Sequence, residues 1–293
     1  DLIGRSVLDL TTVDVVVLDE ADEMLNMGFQ EDLTEILQNT PKDKRTWLFS
    51  ATMSGEVRSI AKRYMREFEE LSIGRANAAA DAISHQYCVV NSRDRYAALK
   101  RFVDADPDLF GIVFCRTKHE TQDLAAALVK DGYNADAIHG DLSQAQRDQV
   151  MGRYRAKSLR LLIATDVAAR GIDVQDVTHV FHFDLPGEAE NYTHRSGRTG
   201  RAGRKGISLS IIGVRDVNKI RQLERVLKTH FTFVRVPGGA EIGKQQVVAY
   251  MKRLKSVEVD TEGLSELLSE ARTELQSFDK EELIDRFMSL AFN

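Results

Sequence analysis

The stretch that decides the fold is Val15-Val16-Val17-Leu18-Asp19-Glu20-Ala21-Asp22, VVVLDEAD. Four apolar residues, three of them β-branched, read as a short buried strand. Three carboxylates, Asp19, Glu20 and Asp22, stand at its C-terminal end. Open α/β sheets collect ligand chemistry at the carboxyl ends of their strands. An acidic pair there suits a Mg2+–nucleotide site, with one Asp for the metal's water shell and one acid to orient an attacking water. Such a site also needs a glycine-rich phosphate loop upstream, and the chain begins only a few residues before the strand. A mid-domain start is therefore expected, leaving an unpaired sheet edge and part of a core exposed.

Outward from this strand, strand-like and helical periods alternate. Further strands are predicted at Trp47–Phe49, Leu71–Ile73, His85–Val90, Ile112–Phe114, Ala135–Ile138, Leu161–Ala164, His179–Phe183 and Ile207–Ile212. Amphipathic segments such as Glu120–Lys130 and Gln144–Tyr154 separate them, a βαβ rhythm that implies mainly parallel sheets covered by helices. The small, polar stretch at residues 76–82 reads as a linker between a first domain at 1–75 and a second at 83–232. From 233 to 293 the pattern becomes all-helical. Leu264, Leu267, Leu268, Ala271 and Leu275 follow helical spacing, as do Leu283, Phe287, Met288 and Ala291, and Asp279 with Glu282 fits an N-cap.

Composition narrows the classes. A length of 293 residues suggests two domains, and 43% hydrophobic with 29% charged residues is globular. No apolar run reaches the length of a membrane span. The opening DLIGRSVLDL has no basic n-region, so no secretory leader is expected, and the two cysteines suggest a cytoplasmic setting. Cys88 and Cys115 sit in strand-like contexts and read as buried reduced thiols. The net charge of −5 argues against a uniformly basic nucleic-acid binder. The segment from Asn191 to Arg215 nevertheless holds no acid, and it carries Arg195, Arg198, Arg201, Arg204, Lys205 and Arg215, which suggests a local anion site.

Five more clusters follow the acidic strand in order: Ser50-Ala51-Thr52; Ile112-Val113-Phe114-Cys115-Arg116-Thr117; His139-Gly140-Asp141 with Gln144 and Arg147; Ala164-Thr165-Asp166 with Ala169-Arg170-Gly171-Ile172-Asp173; and His194-Arg195-Ser196-Gly197-Arg198-Thr199-Gly200-Arg201. Ser50 and Thr52 put two hydroxyls at a strand end, able to relay hydrogen bonds or simply to cap helices. Arg116, Thr117 and the Gly140-Asp141 turn are placed where backbone N–H groups can face phosphates. Arg195, Arg198 and Arg201 recur every three residues with glycines that let a backbone approach closely, and arginine forks match phosphate oxygens.

This ordered set resembles the DEAD-box ATP-dependent RNA helicases of superfamily 2 over roughly residues 10 to 235. The resemblance implies an α/β fold: a partial RecA-like domain, a complete RecA-like domain and a small helical C-terminal extension. It implies ATP with Mg2+ as the nucleotide, and single-stranded or duplex RNA bound without sequence preference. By the same resemblance, Asp19 would hold Mg2+ through water and Glu20 would position the hydrolytic water. Asp22, Ser50, Thr52 and His194 would couple the nucleotide site to the interdomain surface. Asp173 would meet the ribose, and Arg198 and Arg201 would be arginine fingers. Arg116, Thr117, Gly140, Asp141, Gln144, Arg147, Thr165, Arg170 and Gly171 would grip the RNA backbone. His194 at the head of the last cluster fits the RNA branch better than a DNA helicase.

The family's phosphate loop, GxxxxGK[ST], is not found before the acidic strand. Gly238-Gly-Ala-Glu-Ile-Gly243-Lys244 imitates it, but Gln245 replaces the metal-ligating hydroxyl and the run lies after the arginines. Two readings stand: an RNA-dependent ATPase and unwinding enzyme, and a stretch that alone binds RNA and self-associates without hydrolysis. The tail resembles the region after the core of bacterial cold-shock-type DEAD-box proteins, which implies a dimerisation module; a helical cap on the second domain is the alternative.

Overall fold

The computed structural model describes residues 2–26, 28–50, 53–65, 67–72, 82–169, 172, 174–201, 203–258 and 265–292. The interdomain linker falls almost wholly outside these residues, as do Thr52, Arg170, Gly171 and Asp173.

The first unit is a two-stranded parallel sheet. β1 (Val15–Leu18) pairs with β2 (Arg45–Leu48), with Val15 opposite Arg45 and Leu18 opposite Leu48. Strand alternation sends Val16 and Leu18 toward α1 (Ala21–Asn26), α2 (Gln30–Gln38) and α3 (Gly55–Tyr64). There they pack with Leu25, Leu33, Leu37, Val57 and Ile60. Ser54 caps α3 by accepting from the Val57 N–H at 3.3 Å. The opposite face carries Val15, Val17, Trp47 and Phe49, each 47–57% exposed. Among the described residues β1 has no second strand partner, so the expected open edge and half-exposed core are both present. The strand expected at Leu71–Ile73 does not form over its described part. Leu71 is irregular and 87% exposed, with no neighbouring strand to pair with, and Ile73 lies outside the described residues.

The second unit is a seven-stranded, all-parallel sheet in the order β5-β6-β4-β7-β8-β3-β9. Its strands are β3 (Ile83–Val89), β4 (Gly111–Phe114), β5 (Ala135–Ile138), β6 (Leu161–Ala164), β7 (His179–His182), β8 (Gly206–Ile212) and β9 (Thr232–Phe233). α4 (Arg95–Ala105), α5 (Lys118–Lys130), α6 (Gln144–Arg155), α7 (Ala189–Ser196) and α8 (Val217–Leu227) connect them. The central strands GIVF and LLIA are buried at every position because helices cover both faces. One apolar layer gathers Leu99, Val113, Leu128, Ile163 and Phe181, and the other gathers Ile112, Ile138, Tyr154, Leu162 and Val180. Each long-predicted strand is present within two residues of its expected ends. Cys88 and Cys115 are buried free thiols, and burial pushes both upward in pKa, Cys88 to about 12.

A buried polar chain sits under α7. His85 Nδ1 meets the Tyr192 hydroxyl at 2.8 Å, Tyr192 meets Ser208 Oγ at 3.0 Å, and His182 Nε2 meets Ser208 at 2.9 Å. The His182 and Tyr192 rings stack at 4.4 Å. His85 Nε2 and His182 Nδ1 have no hydrogen-bond partner among the described residues. Burial holds both imidazoles neutral, with His85 pushed down from 6.5 to about 4 and His182 well below 6.5.

The tail forms α9 (Gly239–Ser256), α10 (Ser265–Leu275) and α11 (Lys280–Phe292). The Gly238–Lys244 run is the entry to α9, not a phosphate loop. α9 lies along α4, where Arg101 donates to the Pro237 carbonyl at 3.4 Å. Asp279 caps α11 by accepting from the Glu282 N–H at 2.8 Å. α11 buries no described side chain, and Ile284, Phe287 and Leu290 are 47–82% exposed.

Candidate active site and nucleic-acid interface

Asp19 and Glu20 leave the end of β1 on a sharp turn. Glu20 is held at φ 51, a left-handed conformation that costs a non-glycine residue about 1 kcal/mol. Its N–H donates to Asp19 Oδ1 at 2.9 Å. The β1–β2 ladder continues past the strands, with Phe49 N–H donating to Leu18 O at 2.7 Å and Ala21 N–H to Phe49 O at 3.1 Å. This brings Ser50 against α1, where its Oγ accepts from the Asp22 N–H at 3.2 Å. Ser50 is thus both a helix cap and a bond between the two motifs. Asp22 is 2% exposed, whereas Asp19 and Glu20 are open to solvent. A cavity of about 400 Å³ opens beside them, lined by Phe49, Met53, Phe68 and Glu70 among others.

The second unit presents α7 to this acidic turn. His194 Nε2 lies 3.9 Å from Asp22 Oδ2, and Arg198 Nη2 lies 3.9 Å from Glu20 Oε1. Arg198 is aimed by donating to the His194 and Ile172 carbonyls, at 3.3 and 3.0 Å, and Arg201 by donating to Gly197 O at 2.9 Å. The glycine between them has a packing reason. A Cβ on Gly200, which sits at φ 69, would fall 2.5 Å from Ile83 Cγ1. The close approach is therefore to β3 rather than to a ligand.

Arg195, third member of the run, faces inward. It is 3% exposed, clamps both oxygens of Asp166, donates to Asp184 O at 2.6 Å and lies over the Phe114 ring at 5.1 Å. Sequence spacing treats the three arginines alike; the fold makes this one a buried strut.

The described residues expected on the RNA side meet at one edge because β4, β5 and β6 run parallel and end together. Thr117 caps α5 by accepting from the Glu120 N–H at 3.2 Å. Asp141 follows β5 and is bonded to Lys118 Nζ at 3.0 Å, which holds its carboxyl below the ordinary value. Ser143 opens α6 with a capping box to Gln146, and Gln144 donates to Asp148 at 2.9 Å. Arg147 donates to the Ala168 carbonyl at 2.5 Å, tying α6 to the loop after β6, and the Thr165 hydroxyl accepts from the Ala168 N–H at 3.4 Å. Two of the N–H groups expected to face phosphates are already donated inside the protein. Arg116 N–H goes to Glu120 and Asp184, at 3.4 and 3.3 Å, and Asp141 N–H goes to His139 Nδ1 at 3.3 Å. Folded strand-end loops satisfy their own donors first. The Arg116 guanidinium is still 70% exposed.

Asp184, unmarked by any motif, joins these pieces. Its carboxylate takes Arg95 at 3.2 Å and Arg116 at 3.5 Å, while its carbonyl takes Arg195. Burial raises Glu120 to about 7, and a hydrogen bond with the neighbouring Asp184 carboxylate adds to the rise. Burial opposes charge on Asp184 too, but the bonds from Glu120 and Arg95 leave its carboxyl below the ordinary value. Arg95, Arg116 and Glu120 lie 64–89 residues from Asp184 in sequence and leave no local signal.

Comparisons with known proteins bear on the family. Three family models match: DEAD/DEAH box helicase over residues 1–60, helicase conserved C-terminal domain over 94–203, and the helical domain of a probable ATP-dependent RNA helicase over 242–293. The chain is 41% identical over 266 residues to the DEAD-box ATP-dependent RNA helicase CshA of Geobacillus kaustophilus, covering 90% of this chain and 56% of that protein. It is 48% identical over 228 residues to a probable ATP-dependent RNA helicase of Methanocaldococcus jannaschii, covering 78% of this chain and 61% of that protein. A solved structure of S. cerevisiae Dbp5 bound to RNA and ADP BeF3 superposes with a TM-score of 0.77 at 31% identity, covering 85% of this chain and 66% of that one. The chain belongs to the DEAD-box RNA helicase family. It spans little more than half the length of the curated relatives it matches.

Proposed function

We propose that the whole protein couples RNA-dependent ATP hydrolysis to local unwinding of RNA duplexes, and that this stretch carries its acidic turn, arginine fingers and much of its RNA grip. The observation that supports this most is the meeting of Arg198 with Glu20 and of His194 with Asp22 across the two sheets. Hydrolysis needs an acid to orient water on one side and positive charge on the phosphoryl oxygens from the other.

ATP bound with Mg2+ supplies the scissile phosphoanhydride and a metal that screens its charge. The donor set suits Mg2+. No group of three or more His, Cys, Asp or Glu gathers among the described residues, and Mg2+ keeps most of its waters while binding through one or two carboxylates plus phosphates. Asp19 would take that role through water, and Glu20 would orient the attacking water. Arg198 and Arg201 would meet the developing charge, and Asp22, Ser50 and His194 would transmit closure. Arg116, Gln144, Arg147, Thr165 and the Gly140-Asp141 turn would hold the RNA backbone, directly or by fixing the loops that do. By family resemblance, Thr52, Arg170, Gly171 and Asp173 would complete these sets.

A second reading concerns the 293 residues alone: they bind RNA without turning over ATP, because they contain no GxxxxGK[ST] run. An RNA-stimulated ATPase assay separates the two, and turnover by this chain comparable to the full-length protein overturns the second. In the full-length protein Arg198→Ala should lower ATP turnover by 10³-fold or so while leaving RNA binding largely intact; normal turnover overturns the finger assignment. A second copy of the chain is proposed to cover α11, whose Ile284, Phe287 and Leu290 are exposed. Sedimentation as a strict monomer at micromolar concentration overturns that proposal.

A further inference from the structure

We infer that the outward face of α8, with the β9 edge beside it, is a second RNA-backbone surface distinct from the strand-end loops; this rests on the reading of the protein as an RNA binder. Arg221, Arg225 and Lys228 are spaced i, i+4, i+7 on the side of α8 opposite its buried Ile220, Leu223 and Leu227. All three are exposed. The nearby acids are engaged elsewhere: Asp216 pairs with Lys219 at 2.9 Å, and Glu224 accepts from the Phe231 N–H at 2.8 Å. Neither these three cations nor Arg235 has an ion-pair partner among the described residues. Lys100, Lys118, Arg153, Lys157 and Arg204 of the same unit each meet a carboxylate.

The charge is retained against local preference. Like charges at this spacing repel along a helix. Lys228 also sits at φ 52 in the helix-ending left-handed position, where glycine alone carries no penalty. Attraction to the helix C-terminus accounts for Arg225 and Lys228 but not for Arg221 or Arg235. A polyanion laid along the stripe accounts for Arg221, Arg225 and Lys228 together.

RNA suits the surface better than an acidic protein because an aromatic face is set into it. Phe233 on β9 is 53% exposed and packs edge-on to Tyr87, which belongs to the cluster that seats α8. An exposed ring on the edge of that cluster is a stacking platform for a base. β9 stands four strands from β4 in the sheet order, about 19 Å at the usual strand spacing. One RNA of sufficient length therefore reaches both surfaces.

The test is fluorescence anisotropy of this chain with labelled single-stranded RNAs of about 10 and about 30 nucleotides, across a salt series. The triple variant Arg221→Gln, Arg225→Gln, Lys228→Gln should weaken the long RNA about tenfold and reduce the slope of log K against log salt by about 2, leaving the short RNA unchanged. Phe233→Leu should weaken the long RNA about fivefold with no change of slope. Unchanged affinity and slope for the long RNA in the triple variant overturns the inference, as does equal loss for both lengths. Loss of polyglutamate binding with RNA binding intact assigns the face to an acidic protein and also overturns it. If Arg147→Ala leaves both RNAs bound as before while the triple variant behaves as expected, the strand-end interface fails and the α8 surface stands.

Discussion

Lowering the pH from 7.5 to 5 should destabilise the second sheet through the two buried histidines beneath α7. His85 has a folded value of about 4 against an ordinary 6.5, so between these limits the unfolded chain binds the extra proton. Its contribution to stability is complete above pH 6.5 and is lost as the pH falls toward 4. The whole interval corresponds to about 3 kcal/mol, of which about 2 kcal/mol is gone at pH 5. His182, fully buried and lowered for the same reason with Arg195 and His85 adding to it, acts in the same direction. With a urea slope of about 2 kcal/mol per molar, the unfolding midpoint should drop by at least about 1 M. Far-UV circular dichroism is the suitable signal, because the sole tryptophan, Trp47, lies in the other sheet. His85→Phe keeps an aromatic ring beside Tyr192 and Phe231 and removes one protonation site, so its midpoint should fall distinctly less. A wild-type midpoint that does not move between pH 7.5 and 5 refutes the reasoning, and an equal fall in H85F refutes the share assigned to His85. The outcome bears on activity, since Tyr192 anchors the helix that carries His194 and leads into Arg198.

Three further outcomes follow from the same geometry. Gly200→Ala forces a Cβ to within 2.5 Å of Ile83 in a left-handed conformation and should cost about 2–4 kcal/mol, read as a lowered thermal midpoint. Asp184→Asn removes the charge shared by Arg95 and Arg116 and should cost about 2 kcal/mol in stability, with weaker RNA binding in anisotropy measurements; wild-type values for both would deny Asp184 its positioning role. Glu120 is neutral below about pH 7 and ionises above it beside Asp184, so its favourable state is lost as the pH rises. Because the unfolded carboxyl ionises near its ordinary 4.5, that loss runs from about pH 4.5 to 7, so Glu120→Gln should match the wild type near pH 4 and exceed it in stability at pH 8; parallel pH profiles would exclude the raised Glu120.

Strand positions were legible because both faces of the second sheet are covered, which turns IVF and LLI into unbroken apolar runs; VVVL is an equally unbroken run, although Val15 and Val17 lie on the exposed face of the first sheet. Leu71–Ile73 looked the same locally, yet its described part forms no strand, since a strand exists only with a partner. The acidic turn and the motif order were equally plain. What stayed hidden was how the arginines divide their labour. Arg195, Arg198 and Arg201 are evenly spaced in sequence. The first is a strut to Asp166 and Asp184, the second reaches the acidic turn of the other sheet, and the third is braced against Gly197. The joint at Asp184 was invisible for a related reason: its partners Arg95, Arg116 and Glu120 come from other elements. Backbone donors at Arg116 and Asp141 were expected to face outward, and only the folded loops show them satisfied within the protein.

The all-parallel sheet also constrains the chain while it is being made. β3 is the first strand of the second unit to be synthesised, yet it belongs between β8 and β9. Gly206, where β8 begins, follows Val89, the end of β3, by about 120 residues. At ordinary translation speeds of 5–20 residues per second, β3 waits about 6–24 s for its first neighbour. During that interval a strand carrying Ile83, Tyr87, Cys88 and Val89 has unpaired edges and no cover, a window in which nascent-chain chaperones or premature self-association compete with folding.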